Sequence, residues 1–200
     1  IAACGTVSSV AYMTAEELPV PFLEVITPAA KAAADATKNG RIGVIGTPVT
    51  VKSRSHARAI LRILPDAVIV ANSCPLFVPL VEEGWISEQD DVTKSVAERY
   101  LSEIKKGEVD TLIMGCTHYP ALRGVIAQIM GEKVTLIDPG TATAETVKKH
   151  LEDNGMLNPK GGNCKYFVSD RPDAFSKTAK ILMGESIENS VNQIDIFKYI

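Results

Sequence analysis

The sequence has no uninterrupted apolar run of membrane-spanning length, which argues against a transmembrane helix. No basic segment precedes Ile1-Ala2-Ala3-Cys4, so the start does not read as a signal peptide. A Walker A loop and a GxGxxG turn are both missing, which leaves nucleotide binding without support. Lys and Arg are scattered and the net charge is −3, so no basic surface for nucleic acid is expected. Cysteine is sparse: four residues, at 4, 74, 116 and 164, with no CxxC pair. A secreted disulfide scaffold would be shorter and denser in cysteine, so the chain reads as cytosolic with free thiols. The three histidines, at 56, 118 and 150, share no ligand spacing with these cysteines, and no metal site is expected. Internal repeats, low-complexity stretches and an initiator Met are also lacking.

What remains is an ordinary globular composition, 46% hydrophobic and 22% charged, with enough chain to bury a sizeable core. Short apolar runs alternate with segments of helical periodicity. Strands are expected at Arg41–Gly46, Ala67–Ala71, Thr111–Met114, Val134–Ile137 and Tyr166–Val168, with an edge strand around Ile194–Ile196. Helices are expected at Pro48–Leu64, Leu76–Glu83, Val92–Lys106, Tyr119–Met130, Ala142–Asp153 and Pro172–Met183. Such alternation predicts an α/β fold built from βαβ units around a parallel sheet. The strands are apolar throughout, as strands covered on both faces should be. Pro and Gly signals near Thr27-Pro28 and Pro139-Gly140 mark candidate crossings between two lobes.

Ligands of parallel α/β sheets bind at the carboxyl ends of the strands. Cys4 and Cys116 each sit just past an expected strand, in a small-residue turn that opens toward a helix. A helix N-terminus lowers a thiol pKa, and the neighbouring hydroxyls and backbone N–H groups suit a carboxylate. A lone cysteine is more often a buried apolar filler. Two such turns in one sheet protein, one with His118 two residues from the thiol, favour acid/base or nucleophilic chemistry. Cys74 reads as helix-entry packing and Cys164 as a turn residue. His56 and His150 lie in charged helices and are expected to be exposed.

Gly115-Cys-Thr-His-Tyr-Pro-Ala-Leu122 resembles the second cysteine signature of glutamate racemases, in the aspartate/glutamate racemase family. Ile1-Ala-Ala-Cys-Gly-Thr6 resembles the first, with Gly5 where the family usually has Asn. Cys74–Gly84, Val44–Thr50 and Leu136–Gly140 match further family stretches in the expected order, so the resemblance spans nearly the whole chain. It implies two similar lobes, each a mainly parallel sheet flanked by helices, with the active site in the cleft between them. Residues 1–28 with 139–200 would form the first lobe, and 29–138 the second. It also implies that about seventy residues of the family precede Ile1, including an Asp-Ser-Gly turn and a Pro-Tyr-Gly loop.

The resemblance further implies cofactor-independent interconversion of L- and D-glutamate. Cys4 would take the α-proton of D-glutamate and Cys116 that of L-glutamate. His118 would be the acid/base partner of Cys116, and Glu82 a carboxylate near that cysteine; the plain alternative for Glu82 is a solvated helix-end residue. Gly5, through its backbone N–H, with Thr6, Thr117 and His118, would contact substrate. Thr47 and Thr50 either contact a carboxylate or cap the following helix, with capping favoured. No sequence feature demands pyridoxal phosphate. The implied role is supply of D-glutamate for peptidoglycan in a bacterial cytoplasm, with homodimers common in the family. The alternatives are an aspartate or hydantoin racemase, a one-cysteine decarboxylase-like relative, a cysteine hydrolase, or a truncated chain that only binds ligand.

Overall fold

The computed structural model describes residues 1–10, 18–187 and 190–199. The elements run α1 (Gly5–Val10), α2 (Ile26–Ala36), β1 (Arg41–Gly46), α3 (Pro48–Ser53), α4 (Ser55–Ile63), β2 (Val68–Ser73), α5 (Phe77–Glu82) and α6 (Asp91–Lys106). They continue through β3 (Thr111–Met114), a 3₁₀ turn (Tyr119–Leu122), α7 (Arg123–Met130), β4 (Thr135–Ile137), α8 (Pro139–Asp153), β5 (Tyr166–Val168), α9 (Pro172–Met183), β6 (Val191–Gln193) and a closing 3₁₀ turn (Ile196–Tyr199).

Strands β2-β1-β3-β4 form one sheet, parallel throughout, with Ile42 opposite both Ile69 and Thr111, and Thr111 opposite Thr135. Side chains of a strand alternate between faces. Accordingly Ile42 and Val44 of β1 and Ile113 of β3 join Ala29, Ala30, Ala33 and Ile60 from α2 and α4. Ile45, Leu112 and Met114 point the other way, into a cluster with Phe77, Leu101, Ile104, Tyr119 and Ile126 from α5, α6, the 3₁₀ turn and α7. Gly43 faces that second layer. A Cβ there would lie 2.8 Å from Leu112 Cδ1 and 3.0 Å from Ile104 Cγ2, so its absence lets α6 close onto the sheet. Outside this sheet, β5 and β6 pair in parallel, and Ala2 bridges Glu24 in parallel. No helix among the described residues is long and apolar enough to cross a membrane.

Side-chain caps open three of the helices. Thr47 accepts from Thr50 N ahead of Pro48, Asp90 from Thr93 N, and Asp138 from Gly140 N ahead of Pro139. The last of these starts α8 at Pro139 rather than at Ala142. The expected helix Pro48–Leu64 is two helices. Arg54 adopts φ 55°, and the Ser53 hydroxyl donates to Thr50 O (2.7 Å) and accepts from Ser55 N (3.2 Å), which ends α3 and allows α4 to begin. The expected helix Tyr119–Met130 opens as a 3₁₀ turn over its first four residues. The expected edge strand at Ile194–Ile196 lies three residues earlier, at Val191–Gln193, because Val191 to Gln193 pair with Tyr166 to Val168 while Ile196 enters a 3₁₀ turn. Helix α2 was absent from the sequence-based set of elements. Its buried face is mostly alanine, which carries little periodic signal.

Asp110 ties the α2–β1 connection to β3. Its carboxylate accepts from Thr37 Oγ1 (2.6 Å), Lys38 N (2.7 Å), Asn39 N (2.8 Å) and Thr111 Oγ1 (3.0 Å). Partial burial pushes its pKa up, but these hydrogen bonds outweigh it and the net shift is downward. Asp110→Ala should cost about 1–3 kcal/mol at neutral pH in a urea denaturation series, since several donors lose their partner. Because the folded-state pKa is depressed, that stabilisation is present above the ordinary carboxylate range and lost as pH falls through it. The variant should therefore show a flatter acid limb.

Candidate active site

The two cysteine turns meet at a pair of glycines. Cys4 stands immediately before α1, its carbonyl accepting from Ser8 N at 2.8 Å. Gly115 follows β3, donating to Ile45 O at 2.7 Å, and Cys116 comes next. A Cβ on Gly5 would collide with the Gly115 carbonyl oxygen. Only glycine lets the turns approach so closely, so an Asn at position 5 would force the first turn away from the second.

Cys4 and Cys116 are both half-buried free thiols. Burial raises the Cys116 pKa. Hydrogen bonds from the His118 backbone and from Thr117 oppose this, and the nearby charge of Cys4 adds to it, leaving the net shift upward. The lowering expected from a helix N-terminus is thus outweighed: only a four-residue 3₁₀ turn follows, and desolvation is the larger effect.

Beyond Cys116 runs a chain of polar contacts. Cys116 Sγ lies 3.9 Å from His118 Nδ1, which is also 3.2 Å from Thr117 Oγ1. His118 Nε2 lies 3.3 Å from Glu82 Oε1 at the end of α5. Glu82 is half exposed yet aimed at the imidazole, whereas Glu83 reaches toward Lys177 at 3.8 Å. On the other side, Thr6 Oγ1 is 2.9 Å from Thr47 Oγ1 and 3.4 Å from Thr50 Oγ1, and the latter two are 3.0 Å apart. Thr47 therefore does cap α3, and it also belongs to a three-hydroxyl cluster that joins the Cys4 turn to the end of β1.

A cavity of about 770 Å³ opens beside these turns. Gly5, Gly115, Cys116 and Thr117 line it, as do Asp138, Pro139 and Gly140. Cys74 is buried, its carbonyl accepting from Tyr119 OH at 2.8 Å, and Cys164 is exposed ahead of β5. Among the described residues, no three His, Cys, Asp or Glu side chains gather as a metal-ligand set.

These features sit in a chain whose residues 1–147 match the Asp/Glu/hydantoin racemase family. The chain belongs to that family. It is 43% identical to the glutamate racemase of Geobacter metallireducens over 92% of this chain and 68% of that one. It is 40% identical to a Thermoanaerobacter glutamate racemase over the whole chain and 74% of the relative. A crystal structure of a Bacillus anthracis glutamate racemase isoform superposes with a TM-score of 0.90 at 30% identity, over 98% of this chain and 74% of that one. The Francisella tularensis glutamate racemase, solved in complex with D-glutamate, gives 0.88 at 29% identity over 98% and 73%. The chain is accordingly a racemase of the isomerase class, and its fold is the two-lobed α/β fold of the glutamate racemases.

His56 departs from expectation. It is 2% exposed, not solvent-facing, and it lines the same cavity as Cys116. Arg54, Arg58 and Arg62 recur every four residues and made this helix look charged all round, but His56 and Ile60 share a separate, buried stripe. That i, i+4 pairing with Ile60 was the available signal. Burial lowers the His56 pKa from 6.5 to about 4, with the charge of Glu24 acting in the opposite direction. A histidine depressed in the folded state stabilises fully above its unfolded pKa and loses that contribution as pH falls toward the folded value. Between pH 7 and pH 4 the loss should be about 3 kcal/mol. Urea denaturation at the two pH values should show this slope in the native sequence and its absence in His56→Phe.

Proposed function

We propose that the chain interconverts L-glutamate and D-glutamate without a cofactor, with Cys4 and Cys116 as the two acid/base groups. The observation that carries this is the abutment of the Cys4–Gly5 and Gly115–Cys116 turns beside one cavity, which Cys116 and both neighbours of Cys4, Ala3 and Gly5, line while Cys4 itself does not. Inversion at a carbon that keeps its other three bonds needs a base on one face and an acid on the other. With D-glutamate, the Cys4 thiolate takes the α-proton and the Cα–H electron pair stays on carbon. The Cys116 thiol then delivers its proton to the opposite face, which leaves L-glutamate, a Cys4 thiol and a Cys116 thiolate. The reverse reaction exchanges the two roles.

His118, with Glu82 behind it, resets the proton on Cys116, as the 3.9 Å and 3.3 Å spacings favour. Thr6, Thr117 and the Gly5 backbone N–H hold the substrate carboxylate, and the hydroxyls of Thr47 and Thr50 keep Thr6 in place. The α-proton is far less acidic than any thiol, so the site must stabilise the carbanion electrostatically and keep water away. Closure of two lobes, residues 1–28 with 139–200 against 29–138, would meet that need. The parallel sheet of residues 41–137, with the β5–β6 pair and the isolated Ala2–Glu24 bridge outside it, supports this division. The D-glutamate formed would feed peptidoglycan synthesis in a bacterial cytoplasm, and pairing of two copies is consistent with this reading.

The test is incubation of the full-length protein with D-glutamate in deuterated water. Deuterium at Cα with inversion is expected. Cys4→Ala and Cys116→Ala should each lower turnover by about 10²–10⁴-fold or more. Wild-type turnover in either variant would sink the two-thiol assignment. Faster exchange with D-aspartate would move the substrate to another branch of the family, and ester cleavage without exchange would favour a hydrolase.

A further inference from the structure

His56 is a buried imidazole that the two-thiol chemistry leaves unused. Both of its ring nitrogens lack a hydrogen-bond partner among the described residues, although the side chain is almost wholly enclosed. Buried polar atoms without partners are rare, and in folded proteins an ordered water commonly satisfies them. The position is specific. The Cε1–Nε2 edge lies 3.3 and 3.5 Å from the point where a Cβ on Gly115 would sit, so the ring forms a wall against the peptide that leads into Cys116. The same ring lines the large cavity next to Gly5 and Cys116, and a second cavity of about 110 Å³ next to Thr50 and Val51. Each volume exceeds what one water requires.

We propose that His56 is a positioning residue of the racemase site: its imidazole holds an ordered water behind the Cys116 turn, and that water fixes the Gly115–Cys116 peptide against the Cys4 turn. The inference rests on the two-thiol reading for its catalytic consequence, but the water site itself does not depend on it. Several observations favour a hydrogen-bonding role over plain packing. An apolar ring of the same size would fill the space as well. Val44, Ile69 and Ala71 in the wall of the smaller cavity are apolar, and its polar side chains, Thr50 and Arg54, make no hydrogen bond to the ring. The imidazole also abuts a turn whose geometry must be held closely, because the glycine contact between the two cysteine turns leaves no slack. At neutral pH burial keeps the ring uncharged, so it presents one N–H donor and one nitrogen acceptor.

The test compares His56→Phe, which keeps a ring and loses both nitrogens, with His56→Gln, whose amide replaces a nitrogen near the Nε2 position. In the full-length enzyme the Phe variant should lose about tenfold to a hundredfold in kcat with KM nearly unchanged, as small misplacements of a catalytic group do. The pH midpoint for alkylation of Cys116 by iodoacetamide, followed by mass spectrometry of its peptide, should move in the Phe variant and return in the Gln variant. Native kcat and an unmoved alkylation midpoint in a folded Phe variant would overturn the proposal. Equal losses in both variants would assign His56 to packing and would overturn it too. If the Phe variant does not fold, the native ring decides: a magnetisation-transfer contact between a His56 ring proton and long-lived water supports the site, and no such contact refutes it. An unsuccessful racemase assay on the native protein would defeat the functional reading alone, because the alkylation and water measurements need no turnover.

Discussion

The contact of Gly5 with the Gly115 carbonyl governs the geometry of this molecule's working end. It joins a turn near the start of the chain to the turn after β3, and each glycine is adjacent to a cysteine. Gly46 at the end of β1 belongs to the same arrangement. A Cβ there would lie 3.6 Å from the Gly115 oxygen and 3.0 Å from Thr50 Cγ2. The carbonyl thus excludes a side chain at position 5, whereas at position 46 Thr50 is the neighbour that a side chain would crowd. The parallel sheet sets this up by ending β1 and β3 side by side, with Ile45 opposite Met114 one residue before each glycine. The core beneath serves to hold those two strand ends in register.

Electrostatics at the thiols follow from the same closeness. Enclosure raises Cys116, and the neighbouring Cys4 charge raises it further. Two thiolates at once are therefore disfavoured. The donors around Cys116, from Thr117 and the His118 backbone, keep the charged form within reach. His118 and Glu82 extend the polar path to the half-exposed end of α5, where a proton can exchange with solvent.

Much of this was legible in the sequence because it rests on local rules. Strands β1 and β3 appear as short apolar runs. Thr47 appears as a cap, and the two cysteine turns appear as small-residue segments after strands. The features that were not legible depend on contacts between distant segments. His56 lies among arginines that mask its buried stripe, and its neighbour Gly115 is far away in sequence. The Thr6–Thr47–Thr50 cluster joins residues more than forty positions apart. The break at Arg54 depends on a serine hydroxyl turning back on the helix, and residue type alone does not reveal that. The net direction of the Cys116 shift is of the same kind: a motif reports neighbours in sequence, and desolvation depends on everything packed around the group.

The cavity has two chemically distinct ends, and that asymmetry bears on how so weak an acid as an α-carbon could be deprotonated there. One end is backbone and small polar groups, from Gly5, Gly115, Cys116, Thr117 and Asp138 to Gly140. The other residues that line the cavity are largely apolar: Val147 and Leu151 of α8, Leu157, and Ile181 and Leu182 of α9, with Lys148 the charged exception and Leu157 and Leu182 partly open to solvent. An apolar wall lowers the local dielectric, and fixed dipoles and charges at the polar end then act more strongly on a developing negative charge than they would in water. The helices that supply this wall follow β4 and β5, whereas the thiols come from turns before α1 and after β3. Elements widely separated in the chain thus divide the work: the glycine contact holds the two cysteine turns together, and residues of α8 and α9 line the cavity beside them.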